Sequence, residues 1–174
     1  MQYKIKHQNT WFWCDIEWLN PEYVIFRVKK ENEPESNKKV YHVVNDVVYW
    51  EDEHYIKHKA DDYTQKLYKK FKEFYAFIES IKDMRDLNGK TIVLRKKPVF
   101  FVKRVNSRAH KISVIPSKGV KIIPLPVMSG DLNASSPYFK IIFPGIGEYE
   151  IVEHYWNKDC YKVKVKIVVP KLRR

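Results

Sequence analysis

Apolar and polar residues alternate with period two along most of the chain, and one stretch breaks that rule. Over residues 11–18, Phe12, Cys14, Ile16 and Trp18 fall on one side of an extended backbone, with Trp11, Trp13, Asp15 and Glu17 on the other. That spacing predicts a strand whose first set faces a core. Residues 3–6 alternate in the same way. Asn20-Pro21 interrupts the pattern as a turn, and residues 23–29 resume it with Val24, Phe26 and Val28 inward, so a hairpin is predicted. Residues 30–39 are polar, carry Pro34 among glutamates, and read as a solvated loop. A second hairpin is predicted from residues 40–44 and 47–50 around Asn45-Asp46, two residues that tolerate positive φ.

Between Asp62 and Ile81 the period becomes that of a helix. Leu67, Phe71, Phe74, Ile78 and Ile81 recur at offsets of four, three, four and three, while Lys66, Lys69, Lys70, Lys72 and Glu73 occupy the opposite side. Asp62 is the predicted N-cap with Gln65 closing a capping box, Asn88-Gly89 is the predicted stop, and Phe74 is expected in the core. Beyond it, residues 91–94, 99–105, 110–115, 120–123 and 138–143 are short strand-like runs, and residues 128–137 form a second predicted loop. Residues 148–153 and 161–168 predict a hairpin joined through 154–160, with Cys160 in the turn. Placing Ile151 opposite Val163 sets Tyr149 against Val165 inside, and Glu150 against Lys164 and Glu148 against Lys166 outside.

The fold class that follows is β-rich α+β: antiparallel hairpins plus one long amphipathic helix over residues 1–89, then a basic β-sandwich-like part over residues 90–174. The run of short strands, followed by Phe143-Pro144-Gly145-Ile146-Gly147-Glu148-Tyr149 and an alternating last strand, resembles an immunoglobulin-like sandwich of the PKD-like type. In that family a Gly-x-Tyr, here Gly147-Glu148-Tyr149, makes a tyrosine corner whose hydroxyl bonds back to the backbone. The paired cysteines and core tryptophan of antibody domains are absent. The resemblance implies an adhesion, spacing or assembly module and no activity.

Composition sharpens this picture. A 174-residue chain that is 44% hydrophobic and 15% aromatic can build a core. No apolar run resembles a membrane span or a signal peptide, so the expected location is cytoplasmic or virion-associated, away from a membrane. Cys14 and Cys160 lie in no CxxC and are expected as thiols. The formal net charge of +12 is unevenly placed: residues 1–89 hold 15 Lys/Arg against 16 Asp/Glu, and residues 90–174 hold 18 against 5. No acidic residue interrupts residues 90–121. Arg95, Lys96, Lys97, Lys103, Arg104, Arg108, Lys111, Lys118 and Lys121 are therefore the candidate residues for an anionic partner, expected as a continuous cationic sheet face.

Catalytic constellations find little support. His54 and His58 are four apart near Glu51, Asp52 and Glu53, but there is no HExxH and no third ligand at a recognisable spacing. The acidic cluster lacks the lysine of a strand-borne nuclease motif, and no glycine-rich phosphate loop or GxSxG elbow occurs. No cofactor, metal or enzymatic activity is expected. The function class that remains is a structural or interaction protein, an adaptor or component of a larger assembly such as a viral particle. Its expected partners are an acidic protein surface or other subunits, copies of itself included. The alternative is a nucleic-acid-binding protein or an inhibitor of a nucleic-acid enzyme.

Overall fold

The computed structural model describes residues 1–105, 110–128 and 136–168. The protein is β-rich, with one main helix and three sheets among the described residues. It divides into two compact units, Met1–Glu79 with Pro126–Gly130, and Ser80–Leu125 with Asp131–Arg174.

In the first unit the strands are β1 (Gln2–His7), β2 (Thr10–Asn20), β3 (Tyr23–Lys30), β4 (Lys39–Val44), β5 (Val47–Glu51) and β6 (Lys57–Lys59). They pair in chain order, all antiparallel, through short connections except between β3 and β4, where residues 31–38 carry one 3-10 turn, Glu35–Asn37. Asn45 and Asp46 take φ of 50° and 65°, as the predicted two-residue turn requires. Phe12, Cys14, Val24, Phe26 and Val28 of the predicted inward sets are buried, Ile16 is only half-buried, and Ile25 from the other side of β3 is buried as well. Trp18 is 48% exposed although it stays in register opposite buried Val24 and its ring centroid is 6.2 Å from that of Tyr75.

The main helix, α1 (Asp62–Ser80), packs its Tyr68 and Phe71 rings against Phe26, both with centroids at 5.2 Å, and Phe71 against Tyr3 at 5.5 Å. Leu67, Phe71 and Ile78 of the predicted stripe are buried; Phe74 is only partly so, and Ile81 falls past the helix end. The N-cap is Asp61, one residue earlier than expected: its carboxylate accepts from Thr64 N at 2.8 Å. Gln65 closes no capping box. Its amide instead accepts from Val48 N (2.9 Å) and donates to Val48 O (2.7 Å), tying the helix to β5. Part of the second predicted loop is a strand as well, since Val127–Met128 (β11 in chain order) pairs with β1.

The second unit opens with a short helix, α2 (Met84–Leu87), capped by Asp83 and ended by Asn88-Gly89, residues read from the sequence as the stop of the long helix. Its strands are β7 (Thr91–Leu94), β8 (Val99–Lys103), β9 (His110–Ile115), β10 (Lys121–Pro124), β12 (Tyr138–Ile142), β13 (Gly147–Tyr155) and β14 (Lys158–Ile167). One sheet has the order β10-β12-β8, the other β7-β14-β13-β9, with β7 and β14 parallel. Val102 and Ile141 from the first, and Val114, Ile151, Val163 and Val165 from the second, bury into one core. The β13–β14 register pairs Ile151 with Val163, Tyr149 with Val165, Glu150 with Lys164 and Glu148 with Lys166, as the two-sided pattern predicts. The strands run further than expected, however. A bulge after Glu153 lets pairing continue to a two-residue turn at Trp156-Asn157, so Cys160 lies on β14 and not in a turn.

Candidate anionic-partner site

The nine candidate cations do not share one sheet face. Arg95, Lys96 and Lys97 lie in the connection from β7 to β8, Lys118 in the turn from β9 to β10, and Lys121 opens β10. Lys103 ends β8, Arg104 follows it, Lys111 is on β9, and Arg108 lies outside the described residues.

Strand direction nevertheless gathers five of them. The β7–β8 connection, the β9–β10 turn and the β12–β13 connection all fall at one end of the unit. Phe143 N donates to Pro98 O at 2.8 Å, Val168 N donates to Leu94 O at 3.1 Å, and Lys121 stands opposite Ile142, itself opposite Val99. Gly119, with φ of 75°, packs so close to Pro144 that an added Cβ would stand 3.0 Å from it. Arg95, Lys96, Lys97, Lys118 and Lys121 are all exposed there, and none makes an ion pair among the described residues. At this end of β13, Glu148 faces Lys166 at 3.6 Å. Residues of one sign that lack internal partners add their fields, and within a Debye length of about 8 Å at physiological salt they act together on an approaching anion. The unit as a whole carries 20 Lys/Arg and 7 Asp/Glu, a formal charge of +13.

The opposite end is built differently. Lys103 is half-buried, with its ammonium over the Tyr138 ring at 5.4 Å. Arg104 is buried, donates to His110 O at 2.9 Å, and has its pKa pushed down by burial against the raising effect of Glu153. Glu153 is fully buried; one carboxylate oxygen accepts from Val105 N at 2.7 Å and the other lies 3.1 Å from His110 Nδ1. Arg104 therefore serves an internal network that fixes both flanks of residues 106–109. Sequence reasoning passed over Glu153, although strand parity with Tyr149 and Ile151 points it inward. Above this network His110 stacks on Tyr155 at 5.1 Å, and the hairpin tip presents Trp156, 80% exposed at φ of 53°. Lys111 and Lys158 flank the tip and are exposed.

The tyrosine corner geometry is present: Tyr149 Oη donates to Gly145 O at 3.1 Å, and the ring lies against Phe143 at 4.8 Å. In the first unit His58 Nε2 and Asp52 are 2.7 Å apart and the His58 ring stacks on Trp50 at 4.4 Å, while His54 is exposed beside Glu53. Among the described residues no group of three or more His, Cys, Asp or Glu is arranged to hold a metal, and no helix is long and apolar enough to cross a membrane. No family model matches the chain, and neither does any curated protein or solved structure.

Proposed function

We propose that the chain is a non-enzymatic interaction protein, an adaptor or component of a larger assembly, and that it binds an acidic protein surface through the cationic end of its second unit. The observation that carries this reading is the convergence of Arg95, Lys96, Lys97, Lys118 and Lys121 at one end of the unit, all exposed and without ion pairs among the described residues. We also read the second unit as an immunoglobulin-like sandwich. Supporting this are the two sheet orders, the parallel β7–β14 pair and the Tyr149–Gly145 bond at the entry to β13. In such a sandwich the connections at either end are free to vary, and interaction residues placed there leave the core untouched.

Nucleic acid is the second reading. It is favoured by Trp156 and Tyr155, exposed between Lys111 and Lys158, where bases could stack while cations meet phosphates. Titrating the protein with an Asp/Glu-rich peptide, single- and double-stranded DNA, and RNA over a salt series separates the two. Tighter binding to the peptide at matched charge supports the protein partner. A preference for single strands that quenches Trp156 fluorescence supports nucleic acid.

A further inference from the structure

The first unit holds an arrangement of side chains that docking through the second does not use. Tyr23 opens β3, His42 lies within β4 and Glu51 ends β5, on three neighbouring strands. His42 Nε2 is 3.0 Å from the Glu51 carboxylate, and His42 Nδ1 is hydrogen-bonded to the Tyr23 hydroxyl. An ionised carboxylate can only accept, so the nitrogen facing it carries the proton. In the neutral ring the other nitrogen is then an acceptor, and the phenol donates to it. A hydroxyl, a base and an acid that orients the base stand in the order of a nucleophilic triad.

The remaining surroundings agree with that order. The His42 and Glu51 side chains are 19% and 25% exposed, sheltered enough to hold their geometry, while Tyr23 is partly exposed and open to a small reagent. Lys57 on β6 places its ammonium 5.2 Å from the Tyr23 ring centroid. The ionisable groups facing His42 from the adjoining strands are Tyr23 on β3 and Tyr49 and Glu51 on β5.

We propose that Tyr23 is a base-activated nucleophile, a covalent-modification site that accepts an acyl group from an activated donor. In the step, Tyr23 Oη attacks the acyl carbon and forms the ester bond as the bond to the leaving group breaks. The phenolic proton passes to His42 Nδ1 and from there to the leaving group, so no oxidant or further reactant is consumed. The site is independent of the cationic end.

The test is acetylation of the full chain by N-acetylimidazole between pH 6 and 9, mapped residue by residue by mass spectrometry. Tyr55, 84% exposed, is the internal reference. Near neutral pH Tyr23 should react roughly tenfold faster than Tyr55 despite its lower exposure, at the low end of what a positioned general base supplies. His42→Phe and Glu51→Gln should bring Tyr23 to the Tyr55 rate or below. The pH profile of the Tyr23 rate should also change in Glu51→Gln, whereas that of Tyr55 should not. Glu51→Gln keeps the size of the side chain and decides the matter if His42→Phe does not fold. Faster acetylation of Tyr55 at every pH, or a Tyr23 rate and pH profile unchanged by Glu51→Gln, would overturn the proposal.

Discussion

Single residues hold the ends of elements in place, and three make sharp predictions. Glu153 is buried among Val105 N, His110 and Arg104, so Glu153→Ala strands a buried guanidinium and an amide. The loss should be roughly 3 kcal/mol, read as a lower urea midpoint. Asp61 acts at the surface. Hydrogen bonds from the Thr64 hydroxyl and N–H hold its carboxyl below the usual carboxylate range. A depressed folded pKa stabilises above the unfolded value of about 3.9, and that contribution disappears as pH falls through the lower folded value. Urea melts of the wild type and Asp61→Asn should therefore differ at pH 6 and converge toward pH 2. Cys14 is buried with its thiol pKa pushed up, chiefly by desolvation, whereas Cys160 is half-buried. N-ethylmaleimide on the native protein should label Cys160 and spare Cys14, as intact-mass and peptide mapping would show. Of these residues, Cys14 was legible from the alternation. The partners of Glu153 and Asp61 were not, because they depend on which backbone N–H groups long-range folding leaves unpaired.

Elements were legible where their signal is local. Two-sided matching fixed the β13–β14 register, since a one-residue slip would expose Val163 and Val165 and bury lysines. The pattern carries no mark for the bulge after Glu153, which moved the turn to Trp156-Asn157. Nor does it mark β11, a two-residue strand whose partner β1 lies more than a hundred residues away. The turn yields a prediction of its own. A bulky residue in the left-handed region costs about 1–2 kcal/mol, and Trp156 is too exposed to recover it by burial. Trp156→Asn should raise the melting temperature by several degrees, and a lower one would mean that the indole supports the fold. In α1 the heaviest consequence falls on Phe71, fully buried between Tyr3 and Phe26, and not on the half-buried Phe74. Phe71→Ala should cost roughly 3–5 kcal/mol, measured by chemical denaturation, and Phe74→Ala clearly less.

At the scale of the whole molecule, charge distinguishes the two units. The sequence showed where the basicity lies along the chain but not where it lies in space. Lysines and arginines of one continuous stretch went to opposite ends of a unit because strands β8 and β9 run in opposite directions through it. Arg104 was drawn inside by Glu153, while Arg95, Lys96, Lys97, Lys118 and Lys121 were left together at the other end. The most direct test is the salt dependence of equilibrium binding to an Asp/Glu-rich peptide, for the wild type, for a charge reversal of those five residues to Glu, and for a control reversal of Lys111 and Lys158. The five-residue reversal should abolish binding at moderate salt and flatten the salt dependence, with the control close to wild type. Equal losses in both variants, or wild-type affinity after the five-residue reversal, would contradict a docking site at that end.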